Sequence, residues 1–105
     1  MAATSDDSPA ARDFATLLPL DINLENYAST EKISNLPESS SIDGAPVGIT
    51  PVVGEIAYYA PWGNLAIFYR DFQYSRGLIK LGSVKSGIEV LARRGAHRVK
   101  IERVD

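Results

Sequence analysis

Arg76 is the charged side chain whose surroundings point most clearly to chemistry. It stands beside Tyr74 in an irregular stretch between two apolar segments. A guanidinium next to aromatic rings can bind a carboxylate or a phosphate through two parallel hydrogen bonds. The sequence also leaves a structural role open, in which the arginine ties its loop to Asp71 or Glu55.

Aromatic side chains are concentrated in the segment that leads to this arginine. Each tyrosine or tryptophan joins an apolar ring to one polar group, which suits the wall of an amphipathic pocket. Tyr58 and Tyr59 are successive residues of a predicted strand and must face opposite sides, so at most one of them is buried. We therefore predict a ligand site formed by Tyr59, Trp62, Tyr74 and Arg76.

Metal-dependent and nucleophilic catalysis find little support in the sequence. The chain has no cysteine, and its single histidine, His97, has no carboxylates at a ligand spacing around it. We therefore predict neither a metal site nor a cofactor. No serine lies in a nucleophile-elbow motif, which argues against a Ser-His-acid triad. Gly82-Ser83 lacks the glycines of a phosphate loop and is better explained as a plain helix cap.

A hairpin is predicted to position the aromatic residues. The segment Gly54 to Arg70 contains two β-prone stretches, Glu55 to Ala60 and Leu65 to Tyr69. The sequence Pro-Trp-Gly-Asn lies between them. Proline presets φ, and glycine or asparagine accepts a positive φ, so these residues favour a turn. The core is expected to form around this hairpin.

The N-terminal half contains a helix and two strands by pattern. Ser8-Pro9 is a helix start, and an apolar face then recurs at helical spacing, which predicts a helix from Pro9 to Leu18. Alternation of apolar and polar residues predicts a strand from Leu20 to Tyr27. A shorter strand is expected from Lys32 to Leu36. The Ser-, Gly- and Pro-rich stretch Glu38 to Pro51 predicts a long surface loop.

The C-terminal part is predicted to contain a strand, a helix and a further strand. Leu78 to Leu81 forms the first strand, which Gly82 closes. Ser83 then caps a second helix, which ends near Arg93-Arg94 and Gly95. The last strand runs from His97 to Val104.

The composition fits a single domain of 105 residues with a net charge of −2. That charge argues against general nucleic-acid binding, and no apolar run approaches the roughly 18 residues that span a bilayer. Residues 1–55 hold nine acids and two bases, whereas residues 56–105 hold nine bases and four acids. We expect the two halves to pack together and complement each other.

We expect a cytoplasmic protein, because residues 1–7 are short and polar; a secreted or periplasmic location stays open if the N-terminus is trimmed.

Several motifs taken together resemble the bacterial cyclophilin-like proteins of unassigned function over residues 8–103. They are Leu17-Leu18-Pro19-Leu20, Glu31-Lys32-Ile33, Ala57-Tyr58-Tyr59-Ala60-Pro61-Trp62-Gly63-Asn64, Tyr74-Ser75-Arg76-Gly77-Leu78, and Leu81-Gly82-Ser83-Val84 with Gly87-Ile88-Glu89-Val90-Leu91. The resemblance implies a mainly β fold, a cyclophilin-like antiparallel β-barrel with two short α-helices.

The chain departs from that family in two respects. Members usually begin with one or two strands before the first helix, and here at most Ala2 to Ser5 remains of them. We therefore expect six or seven barrel strands and an exposed sheet edge, through which a homodimer would form. True cyclophilin isomerases also use an arginine near phenylalanine, methionine and glutamine on early strands. No such cluster occurs between Leu20 and Pro51.

These observations favour a non-catalytic binding domain for a small ligand or peptide that carries an acidic group. A weak peptidyl-prolyl isomerase is one alternative, in which Arg76 acts near the proline nitrogen. A structural or assembly module that uses the exposed edge is the other.

Overall fold

The computed structural model describes residues 1–27, 31–35, 46–61, 63–89 and 97–104. Within this part, the chain forms one α-helix and nine β-strands. The helix is α1 (Pro9–Ala15), and the strands are β1 (Ala2–Ser5), β2 (Leu20–Tyr27), β3 (Glu31–Asn35), β4 (Gly48–Ile49), β5 (Glu55–Tyr59), β6 (Asn64–Phe68), β7 (Ser75–Arg76), β8 (Leu78–Ser86) and β9 (His97–Arg103).

Seven of the strands close into a barrel in the order β1-β8-β5-β6-β3-β2-β9. Neighbouring strands are antiparallel, except that β1 and β9 are parallel. The two remaining strands, β4 and β7, pair in a small antiparallel sheet of their own. The predicted mainly antiparallel barrel is confirmed. Of the predicted surface loop, residues 38–45 lie outside the described residues, and the remainder contains β4.

Strand β1 corrects the expectation of an open barrel. Its residues pair with β8 on one side and with β9 on the other. The Glu102 N–H donates to the Met1 carbonyl (2.9 Å), and the Val104 N–H donates to the Ala3 carbonyl (3.0 Å). Four residues are enough to join the two ends of the sheet, so the barrel has no free edge among the described strands. The expected dimerisation through such an edge therefore loses its structural basis.

The hairpin of β5 and β6 lies at the centre of the core, as predicted. Its inward side chains Ile56, Tyr58, Leu65 and Ile67 are at most 4% exposed. Other strands and α1 add further buried side chains: Ala3, Ala10, Phe14, Ile22, Leu24, Ile79, Leu81 and Ile101. Burying a large apolar side chain contributes about 1.5–3 kcal/mol each, which makes this interior the main source of stability.

Helix α1 begins where the sequence predicts. The Ser8 hydroxyl accepts a hydrogen bond from the Ala11 N–H (3.1 Å), and Pro9 occupies the first turn. The helix ends at Ala15 and not at Leu18, because the residue that precedes a proline is disfavoured in the α conformation. No helix within the described residues is long and apolar enough to cross a membrane.

The predicted second helix is wrong at its start. Ser83 lies inside β8 and does not cap a helix, since this strand continues to Ser86. Gly82 also lies within the strand, and a Cβ at that position would overlap the carbonyl of Thr4 in β1. The glycine is therefore needed for the close approach of β1 and does not end the strand. The later part of the predicted helix, residues 90–94, lies outside the described residues.

Lys32 introduces a charge into this apolar interior. It lies on β3, opposite Ile67 of β6, and its side chain is fully buried. Burial disfavours the charged form and lowers the pKa of the Lys32 ammonium.

Candidate functional site

A cleft of about 340 Å³ lies between the outer face of the barrel and the β4–β7 sheet. Alternation along the strands turns one set of side chains inward and the other set outward. The outward side chains of Ile33, Ala66 and Leu78 give the cleft an apolar floor. Nine residues line the cleft: Glu31, Ile33, Tyr59, Asn64, Ala66, Phe72, Ser75, Arg76 and Leu78.

Backbone hydrogen bonds fix the β4–β7 sheet above this floor. Gly48 pairs with Arg76 across the two strands. The Gly77 N–H donates to the Val47 carbonyl (2.8 Å), and the Gly77 carbonyl accepts from the Ala60 N–H (2.9 Å). A Cβ on Gly48 would overlap the Ser75 carbonyl, so the pairing requires glycine there. The backbone that carries Arg76 is thus held at the end of β5.

A second apolar cluster, outside the barrel, attaches the same region to the sheet. The rings of Phe68 and Phe72 stack with centroids 6.4 Å apart and an angle of 23° between their planes. Phe68 is fully buried, and Ile49 of β4 packs against the same cluster. Phe72 therefore forms one wall of the cleft and also holds that wall in place.

The structure brings two of the four predicted site residues together. Tyr59 and Arg76 both line the cleft. Tyr58 faces the interior instead and is 4% exposed, as the alternation of the strand predicts. Tyr74 is 54% exposed and does not line the cleft. Trp62 lies outside the described residues.

The guanidinium of Arg76 is exposed at this cleft. Among the described residues, it forms no ion pair with Asp71 or Glu55. The carboxylate of Asp71 instead accepts a hydrogen bond from the Val53 N–H (2.8 Å). The structure therefore gives no support, within the described residues, to a purely structural arginine.

Glu31 is a cleft residue that sequence reasoning missed. Its side chain is only 7% exposed and pairs across the sheet with Phe68. Desolvation of the carboxylate raises the pKa of Glu31 to about 7. No hydrogen bond or ion pair to its carboxyl group occurs among the described residues. The sequence does contain one indication of this position. Side chains alternate between the two faces of a strand, so Glu31 must lie on the same face as the apolar Ile33.

Asn64 is the second polar group that the sequence did not reveal. Its side chain is 5% exposed, and its Oδ1 atom is buried without a hydrogen-bond partner within the described residues. In the sequence, its turn propensity is a sufficient explanation for an asparagine at this position. In the structure it is the first residue of β6 and pairs with Tyr59.

The Glu31 carboxyl group and the side-chain carbonyl of Asn64 lie at opposite ends of the cleft. Asn64 pairs with Asn35, which is four residues along β3 from Glu31. At the usual strand rise, this places the two ends about 13 Å apart. The cleft is therefore elongated along β3 and β6, with an acceptor at each end and an apolar floor between them.

A second depression lies beside α1 and measures about 400 Å³. Of the two arginines that line it, Arg12 bonds the Asp7 carboxylate at 2.8 Å, and the side chains of this pair are largely exposed. Among the described residues that line it, the depression has no buried polar group that needs a partner, so it is the weaker candidate.

Within the described part of the chain, no three His, Cys, Asp or Glu side chains are grouped closely enough to hold a metal ion.

Comparison with protein families identifies the fold to which this cleft belongs. The model of the cyclophilin-like family matches residues 1–102. The chain belongs to the cyclophilin-like family. The match includes β1, the strand that closes the barrel. No curated protein and no solved structure matches the chain. Membership of a cyclophilin-like family gives the fold, and the function has to be argued from the site.

Proposed function

We propose that the outer cleft binds a small ligand or peptide through an acidic group, which Arg76 holds. One observation carries this proposal: an exposed guanidinium without an ion-pair partner among the described residues lines the same cleft as Tyr59 and an apolar floor. A guanidinium binds a carboxylate through two parallel, charge-assisted hydrogen bonds. An apolar pocket with a few polar groups is the usual form of a small-molecule site.

The size of the cleft supports a short ligand. Its volume of about 340 Å³ lies at the lower end of the range for ligand pockets. A length of about 13 Å corresponds to roughly four residues of extended peptide. The carboxylate of such a ligand binds at Arg76, and its apolar part lies against Ile33 and Ala66.

A pair of capped peptides tests this proposal. N-acetyltrialanine carries a free carboxylate, and its C-terminal amide differs only in that group. We expect calorimetry to show binding of the acid about tenfold tighter than the amide, since a hydrogen bond to a charged group is worth about 1.5–3 kcal/mol. Arg76→Ala should remove this preference.

Lys85→Ala is the matched control, because Lys85 is an exposed cation on β8 that does not line the cleft. It should keep the preference for the acid. Equal binding of acid and amide by the wild type, or an unchanged preference in Arg76→Ala, would contradict the proposal.

Weak prolyl isomerisation is a second candidate for the same cleft. The observation in its favour is a guanidinium above an apolar floor of Ile33, Ala66 and Leu78. Rotation about the X-Pro bond needs no covalent step, and a donor near the prolyl nitrogen weakens the resonance that opposes it. Under this reading, the wild type accelerates isomerisation of a proline peptide and folded Arg76→Ala does not. A wild type without activity would leave only the binding function.

A further inference from the structure

We infer that the ligand of the outer cleft is dipolar, with a primary ammonium group bound by Glu31 and a carboxylate bound by Arg76, as in a short peptide with free termini. This inference rests on the proposed function, and it adds the second charge of the ligand and the residue that recognises it.

The position of Glu31 provides the main argument. Glu31 lines the cleft together with Ile33 and Phe72 while being only 7% exposed, and it pairs with Phe68 of β6. A buried polar group without a hydrogen-bond partner is costly, and a buried charge is more costly still. A ligand ammonium placed at this carboxylate supplies both the missing hydrogen bonds and the missing counter-charge.

Asn64 is a second, independent indication of a ligand that donates hydrogen bonds. Its buried Oδ1 atom accepts no hydrogen bond within the described residues. It lies about 13 Å from Glu31, at the other end of the cleft. A backbone N–H of a peptide ligand would satisfy it. The acceptors therefore lie on the barrel side of the cleft, whereas the guanidinium of Arg76 comes from the β4–β7 sheet.

This arrangement matches the polarity of an extended peptide with a free N-terminus. The ammonium and amide N–H groups face the acceptors of β3 and β6, and the carboxylate faces Arg76. An uncharged apolar ligand would leave both acceptors unpaired. A dianion would place a negative charge near Glu31 and be repelled once that carboxyl group ionises.

Ionisation of Glu31 connects ligand binding to pH. The pKa of Glu31 is raised to about 7 by burial, so near neutral pH about half of the free protein carries a protonated carboxyl group. An ammonium group favours the ionised form, so its binding expels that proton. Among the described residues, the other charged or titratable groups on this side of the sheet are Tyr59 and Arg76 in the cleft wall, Glu25 on the outer face of β2, and Glu55 beyond Phe68. Lys32 lies on the opposite face of β3.

Titration calorimetry with trialanine and N-acetyltrialanine tests the inference. The two peptides share the carboxylate and differ in the ammonium group. We expect trialanine to bind the wild type about tenfold tighter at neutral pH. Binding should also release about half a proton, measured in two buffers of different ionisation enthalpy. Glu31→Gln keeps the shape of the side chain and should lose both the preference and the proton release.

Glu102→Gln is the matched control, since Glu102 is an exposed acid on β9 and does not line the cleft. It should behave as the wild type does. If N-acetyltrialanine binds through Arg76 and the free amine adds nothing, the inference is overturned and the proposed function stands. An unchanged preference in folded Glu31→Gln also overturns it. If neither peptide binds the wild type, both the inference and the proposed function fail.

Discussion

Glu31 and Lys32 are successive residues that are buried on opposite faces of β3. Glu31 lies in the outer cleft and Lys32 lies inside the barrel. Burial raises the pKa of Glu31 to about 7 and lowers the pKa of Lys32. Ionisable groups with strongly shifted pKa values are concentrated at functional sites, because folding alone would favour apolar residues there. Glu31 meets this description within a cleft.

The raised pKa of Glu31 predicts how stability depends on pH. An unfolded glutamate loses its proton near pH 4.5, whereas folded Glu31 keeps it until about pH 7. The folded state therefore binds more protons between these values, and the contribution of Glu31 to stability falls as pH rises through this window. Near pH 8, the free energy of unfolding of Glu31→Gln should exceed that of the wild type by on the order of 3 kcal/mol, so the variant should unfold at a higher urea concentration. Near pH 4, the two proteins should unfold at a similar urea concentration.

Glu102→Gln again provides the comparison, because Glu102 is exposed on β9 and does not line the cleft. Urea unfolding of the wild type and both variants across this range gives the free energies directly. A difference between Glu31→Gln and the wild type that is the same at both pH values would contradict the assignment of a desolvated carboxyl group.

At the scale of elements, the β4–β7 sheet depends on its contacts with the barrel. Each of its strands has two residues, and an isolated pair of that size is not stable in water. The stacking of Phe72 on Phe68 and the backbone bonds of Gly77 connect it to β5 and β6. The position of Arg76 therefore depends on an aromatic contact on a neighbouring segment.

Phe72→Ala tests this dependence. The variant should lose about 1–3 kcal/mol of stability, since Phe72 is partly buried. The larger effect should be local: the amide hydrogen of Gly77, which donates to Val47, should exchange much faster, while amides in β6 change less. Tyr74→Ala removes an exposed ring from the same segment and should change neither. Unchanged exchange at Gly77 in Phe72→Ala would contradict this role.

Local patterns in the sequence predict most of the elements but only part of the site. Strand β2 and the hairpin follow from alternation and turn chemistry, and the start of α1 follows from its cap. The length of β8 could not be predicted from the local sequence, where Gly82 looks like the end of a strand. This glycine is instead required for the close approach of β1, which is distant in sequence. Glu31 and Asn64 were missed because their significance comes from burial on the outer face, which the fold as a whole creates.

At the scale of the whole molecule, the barrel is closed by a strand of only four residues. Gly82 lets β1 approach β8, and the parallel pairing of β1 with β9 completes the ring. Closure removes the free edge that the sequence suggested. It also leaves the outer face, with its cleft, as the place where a ligand is expected.

Gly82→Ala should weaken this closure. The added methyl group would overlap the Thr4 carbonyl, so β1 must move, at a cost of about 1–3 kcal/mol. Displacement of β1 would expose the edges of β8 and β9, and we expect more association with rising protein concentration than in the wild type. Urea unfolding and sedimentation velocity measure the two effects. Ser83→Ala, at the next position of β8, serves as the control. A Gly82→Ala variant that is as stable as the wild type would contradict the role of β1 in closing the barrel.

We propose the outer cleft of this cyclophilin-like barrel as its binding site. The most direct test is a titration of the isotope-labelled wild type with trialanine, followed through its backbone amide resonances. We expect dose-dependent shifts concentrated in the cleft, at Ile33, Tyr59, Asn64, Ala66 and Arg76, with little change at Asp7 and Arg12 beside α1. Shifts confined to residues outside the cleft, or no shifts at all, would contradict it.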